Sequence, residues 1–171
     1  MDSTFTPCVR PGCWTSKRWP PERFGALCAE LWRRHAVRAV VNVSPREQDL
    51  AEALLRAAQD IPPGARPIVM CPGLRDLVAL LAGASVAVGG DTGPVHLAAA
   101  LGTRVVALFG STDPARNGPL PRGLVVRNIS AQPPHYERGD YPRGRSFSPA
   151  MLSISLEQVL AAVEQQMSVA A

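Results

Sequence analysis

Lysine is nearly missing from this chain: of 18 lysines and arginines, 17 are arginine, and Lys17 stands alone. A background that writes arginine wherever either cation serves makes a solitary lysine worth following, although by itself it proves nothing. Other absences exclude whole classes. No apolar run approaches the roughly 20 residues that cross a bilayer. The opening MDSTFTPCVRPG also lacks the basic-then-apolar order of a secretory leader, so a soluble cytosolic protein without a transmembrane segment is expected. Cys8, Cys13, Cys28 and Cys71 form no C-x-x-C pair and have no histidine at zinc spacing. They read as small core or surface residues in a reducing compartment, and no metal site is expected. There is no G-x-G-x-x-G and no G-x-x-x-x-G-K-[ST], hence neither a dinucleotide fingerprint nor a nucleotide-triphosphatase loop. Without a G-x-S-x-G elbow or a paired cysteine and histidine, a nucleophilic hydrolase is equally unsupported.

What is present is a chain of 171 residues, 46% hydrophobic and 19% charged, enough for one globular domain with a real core. The formal charge of +4 suits an anionic ligand, whether phosphate or nucleic acid, and does not choose between them.

Residues 1–19 read as irregular because Pro7, Pro11 and Gly12 block a helix, although FTPCV has the makings of a short strand. PPERFGALCAELWRRH starts with prolines suited to a first helical turn and places Phe24, Leu27, Cys28 and Leu31 on one face. RAVVNV (38–43) is a β-branched run. Ser44 and Glu47 have capping-box spacing ahead of a helix bearing Leu50, Ala51, Leu54 and Leu55. After the breaker QDIPPGARP come a strand (IVMC), a helix ended by Gly83 (LRDLVALLAGA), a strand (SVAVGG), a helix from about Pro94 to Gly102, and a strand (RVVALFG). GLVVRNI (123–129) adds another strand, Ser130 to Pro149 reads as a polar loop, and SLEQVLAAVEQQM as a helix capped at Ser155. Apolar runs without alternation, interleaved with helices, are the mark of strands covered on both faces. The expected fold is therefore α/β, a single Rossmann-like parallel sheet with helices on both sides.

Between two such runs lies GGDTGPVHLAAALG. Asp91, Thr92 and Gly93 occupy a strand-to-helix turn, and in open parallel sheets ligands bind beyond the carboxyl ends of the strands. A helix N-terminus offers unpaired N–H groups and about half a positive charge, and Gly93 permits close backbone approach. Thr92 can cap the helix or meet a phosphate oxygen. His96 falls in the first turn, and Asp91 can accept from hydroxyls or a nearby cation. Singly, each has an ordinary explanation, an N-cap or a solvated histidine. Together at such a turn they point to an anion-binding site.

The stretch GGDTGPVHLAAALGTRVVALFGSTDPARNGPL resembles the signature of the heptosyltransferases, glycosyltransferase family nine. An Asp-(Thr/Ser)-Gly-x-x-His block, an AALG-x-x-VVALFG unit and a T-D-P-x-R-x-G-P loop follow in order. Upstream, RPGCWTSKRWPPERF is similar to the family's Ser-Lys-Arg-Trp-Pro entry, SPREQDLAEAL to its glutamate-bearing helix, and near the end MLSISLEQVLAAV to its closing Met-x-x-Ile helix. The likeness runs from about residue 9 to 163.

The resemblance implies the C-terminal, donor-binding half of a GT-B enzyme. Such an enzyme transfers a heptose from an ADP-linked donor to the lipopolysaccharide core, without a cofactor or required metal, in the cytoplasm and peripherally at the inner membrane. By carry-over, Asp91, Thr92, Gly93 and His96 face the donor's phosphates and sugar. Lys17, with Thr15 and Ser16 beside it, reaches the pyrophosphate and stabilises charge on departing ADP. Lys17 and Asp91 are thus the candidate catalytic residues, Glu47 binds the ribose, and Arg116 is a second cation. The chain departs from the family pattern at Asn42 and Val43, where glycines are usual, and around Phe147 to Ala150, where cysteines often occur. The family's other half, which holds the acceptor and a base carboxylate, has no counterpart here, so a companion acceptor-domain chain or a homodimer is an expected partner. A different class of reading is a non-catalytic nucleotide or nucleotide-sugar binding module. The arginines of HYERGDYPRGR suggest a nucleic-acid contact only weakly, since no base-stacking platform accompanies them, and no nucleic-acid partner is expected.

Overall fold

The computed structural model describes residues 4–8, 17–110, 112–118, 123–128 and 147–168. Among the described residues six strands are present: β1 (Thr4–Cys8), β2 (Arg38–Asn42), β3 (Ile68–Met70), β4 (Val86–Gly90), β5 (Arg104–Leu108) and β6 (Gly123–Val126). The α-helices among the described residues are α1 (Pro21–His35), α2 (Gln48–Ala57), α3 (Leu74–Gly83), α4 (Gly93–Ala100), α5 (Pro114–Asn117), α6 (Pro149–Leu152) and α7 (Leu156–Ser168). All neighbouring strands are parallel, in the order β3-β2-β1-β4-β5-β6. The order reverses between β1 and β4, which makes the carboxyl ends of these two strands the topological switch point.

Strand alternation sorts the core into two layers. Val41 and Val43 at the end of β2, Val86 and Val88 of β4, and Val106 and Leu108 of β5 pack with Phe24, Leu27 and Leu31 of α1, Leu54 of α2 and Val159 of α7. Ala87, Val105, Ala107 and Phe109 point the other way, against Leu81 of α3 and Val95, Ala98 and Ala99 of α4. Every residue of β4 is buried, which accounts for its unbroken apolar sequence. Gly25 serves the first layer, because a Cβ there would run into the Leu54 carbonyl oxygen where α1 crosses α2.

The expected strands and long helices are present, with informative differences. The strand expected in FTPCV is present as Thr4–Cys8, Val9 lying outside the described residues, and it lies in the middle of the sheet within a segment that otherwise reads as irregular. Ser44 does not cap α2. The Ser44 N–H donates to Glu47 Oε2 at 2.9 Å, but Ser44 Oγ accepts from Arg46 N, and Glu47 itself is the N-cap of a helix starting at Gln48. The box closes a turn ahead of the helix rather than its first turn. At α7 the equivalent pattern works as expected: Ser155 Oγ accepts from Gln158 N, and Gln158 Oε1 from Ser155 N. The start at Pro94 moves one residue earlier, with Gly93 first and Pro94 second. The loop predicted to Pro149 gives way to α6, capped by Ser148; its residues 130–146, HYERGDYPRGR included, lie outside the described residues.

Candidate functional site

Gly90 ends β4 where the backbone of Lys17 crosses; a Cβ at Gly90 would collide with the Lys17 carbonyl oxygen. This close approach brings the solitary lysine to the switch point. Two residues on, Trp19 is 1% exposed, donates its indole N–H to the Ile154 carbonyl at 2.9 Å and meets Phe24 edge to face at 5.0 Å. Arg23 donates to the carbonyls of Leu152 and Ile154, both at 2.6 Å. The chain leading from Lys17 into α1 is thus pinned to the α6–α7 corner.

Asp91 is the hub. Lys17 Nζ lies 2.7 Å from its Oδ2 and His96 Nε2 lies 2.9 Å from its Oδ1. The Thr112 hydroxyl donates to the same carboxylate, and Asn117 Nδ2 approaches Oδ2 at 3.4 Å. Burial alone would push the Asp91 carboxyl up. Hydrogen bonds from His96 and Lys17, with the lysine charge and Thr112, outweigh it and hold the group down at about 2, from an ordinary 3.8. An ionised carboxylate only accepts, so His96 Nε2 must carry a proton, which leaves Nδ1 for a ligand.

The helix terminus offers less than the sequence promises. Thr92 makes no side-chain cap, and its Oγ1 is buried without a partner among the described residues. Val95 and His96 already donate to the Thr92 carbonyl at 3.1 and 3.3 Å, and Pro94 has no N–H. Gly93 supplies the remaining helical amide.

Glu47 sits away from this hub, 1% exposed, with Oε2 on the Ser44 amide and Oε1 3.7 Å from Arg18 Nη2. Burial raises its carboxyl above the usual range, against the Ser44 N–H and the Arg18 charge. It opens on a cleft of about 420 Å³ shared with Asn42, Ser44, Cys71, Leu77, Pro94 and Leu97, running from the ends of β2 and β3 to the start of α4.

Of the sequence-based candidates, Lys17, Asp91 and His96 come together, Thr92 and Gly93 adjoin them, and Glu47 lines the neighbouring cleft. Thr15 and Ser16 lie outside the described residues. Arg116 is exposed on α5, while Thr112 and Asn117, which the sequence reading passed over, face Asp91 instead. Their signal was position: both lie in the polar stretch just after β5, at the same carboxyl edge as Asp91. Arg18, also unremarked, pairs with Glu47. Among the described residues no group of three or more histidine, cysteine or acidic side chains is placed to hold a metal.

The strand order, the two covered faces and the polar cluster at the switch point define a Rossmann-like unit, one half of the two-domain GT-B architecture. The sequence profile of glycosyltransferase family 9 (heptosyltransferase) matches residues 4–140, and the chain belongs to that family. It is 24% identical over 147 residues to lipooligosaccharide heptosyltransferase 2 of Haemophilus influenzae, covering 85% of this chain and 42% of that protein. The structure of E. coli ADP-heptose LPS heptosyltransferase II superposes with a TM-score of 0.82 at 21% identity, over 99% of this chain and 47% of the other. A family 9 glycosyltransferase from Veillonella parvula gives 0.78 at 22% identity, over 98% and 46%. The chain therefore spans less than half the length of these relatives. No helix among the described residues is long and apolar enough to cross a membrane.

Proposed function

We propose that this chain binds the ADP-linked sugar donor of a heptosyltransferase that acts on the lipopolysaccharide core, as the C-terminal half of that enzyme. The observation that carries the reading is the Lys17–Asp91–His96 cluster at the switch point, beside the first turn of α4. In this reading the diphosphate lies over Gly93 N–H and Lys17 Nζ, while His96 Nδ1, an acceptor, faces a hydroxyl of the sugar. The nucleoside enters the cleft, with its ribose hydroxyls donating to Glu47. When the bond between the sugar's anomeric carbon and the phosphate oxygen breaks, negative charge grows on the departing ADP. Lys17, held ready by Asp91, meets that charge without reorganising, which is where preorganised donors lower a barrier most. Asp91 fixes the lysine and the histidine together and turns the imidazole so that one nitrogen stays available. No resident cofactor enters this scheme, since the donor is itself a substrate. A companion chain, or a second copy, supplies the acceptor side, and the enzyme works in the cytoplasm at the inner-membrane surface.

Calorimetry with ADP tests donor binding, and transfer from ADP-heptose to a core acceptor, with and without a candidate acceptor half, tests catalysis. Lys17→Ala is expected to weaken ADP binding about 10- to 100-fold, the worth of a charge-assisted hydrogen bond. Unchanged affinity would remove the basis of the proposal. Binding without transfer, even with the acceptor half present, would identify a non-catalytic nucleotide-sugar module.

A further inference from the structure

Asn42 is a polar residue in an apolar place. It ends β2, in register with Cys8 of β1 and Met70 of β3, and is 7% exposed. Its carboxamide pairs with no other described residue, yet it is not one of the polar groups sealed in the interior without a partner, so its polar end reaches the open cleft. Its neighbours Val41 and Val43 point into the layer formed with α1 and α2, so alternation turns Asn42 to the opposite face of the sheet. That face carries the cleft, and Asn42 lines it. A valine would continue the RAVV pattern with no polar group to place at the sheet end.

The cleft around it has a largely apolar lining that includes Pro72, Leu77, Pro94 and Leu97. Leu74, which also lines it, is 75% exposed, the most exposed of the large apolar side chains among the described residues. Apolar walls of this kind take the faces of a planar ring and leave its polar edge to be satisfied by a side chain at the end of the slot. Glu47, whose ionised form can only accept, suits a diol. Asn42 presents a donor and an acceptor side by side.

We propose that Asn42 reads the base of the nucleotide: Oδ1 accepts from the exocyclic N6 amine while Nδ2 donates to N7, the pairing offered by a 6-aminopurine and not by a 6-oxopurine, whose O6 and N7 both accept. The inference rests on the donor-binding reading above and deepens it to one specificity residue. A 6-oxopurine sets a lone pair against Oδ1 and loses half the pairing, and a pyrimidine presents a different edge.

Titration calorimetry of the whole chain with ADP, inosine diphosphate and inorganic pyrophosphate tests this. The native protein is expected to prefer ADP over inosine diphosphate by about tenfold or more. In Asn42→Ala that preference falls towards parity through loss of ADP affinity, while pyrophosphate, which has no base, binds as before. Equal affinity of the native protein for the two nucleotides would overturn the assignment without recourse to any variant. So would an unchanged preference in Asn42→Ala, or an equal loss of ADP and pyrophosphate binding, which would make Asn42 a packing residue. If the native chain bound neither ADP nor pyrophosphate, the donor-binding reading itself would fall, and this one with it.

Discussion

Asp91 shows how one carboxylate can organise a site before any ligand arrives. Its native value of about 2, against an ordinary 3.8, means that its ionised form stabilises the fold by about 2 kcal/mol. The sign is that of a depressed acid: the contribution is fully present above about pH 3.8 and is lost as pH falls through about 2. Asp91→Asn keeps the shape and removes the charge. Urea unfolding of the two proteins should therefore show the native chain ahead at pH 5 and the gap narrowing towards pH 2. A gap independent of pH would mean that the carboxylate is not what Lys17 and His96 hold. The site was legible at this scale because its residues are chemically conspicuous: a lone lysine, and an acid, a hydroxyl and a histidine between apolar runs. The roles of Thr112 and Asn117 were not, because their partner is set by where the chain returns after β5, and nothing local in TDPARN names Asp91.

Among the elements, those dictated by apolar periodicity were readable and those dictated by neighbours were not. β4 and β5 are buried on both faces and α1 on one, so their patterns announce them. β1 is the instructive case. It contains Pro7, which lacks the N–H that a central strand is expected to donate, and proline normally argues against such a position. Pairing on both sides, with β2 and β4, places it there regardless. The displaced start of α2 has a similar origin: Glu47 bonds back to Ser44 as the capping pattern requires, yet a turn intervenes before Gln48. The contact between the end of β4 and the Lys17 backbone gives a test at this level. Gly90→Ala forces the lysine's peptide aside, and overpacking of this kind costs about 1–3 kcal/mol. Stability and ADP affinity should fall together, whereas Gly64→Ala, where an added Cβ meets nothing within 4 Å, serves as the silent control. Thermal unfolding and calorimetry on both variants check it; a Gly90→Ala protein with native affinity would show that the lysine's placement does not depend on that crossing.

Across the whole molecule, the anchoring of Trp19 joins residues 135 apart in sequence, the indole on one side and Ile154, at the threshold of α7, on the other. Trp19→Phe retains most of the ring and deletes the N–H, and loss of that buried hydrogen bond should lower stability by about 1 kcal/mol in urea titration. Because Lys17 is two residues away, the same change should loosen ADP binding measurably; full affinity with reduced stability would uncouple the two. The accuracy with which the ammonium group is aimed is thus a property of the chain's two extremes acting jointly. A lesion in the last helix, remote from every phosphate-facing atom, would then register first as blunted affinity for the nucleotide, well before the protein itself came apart.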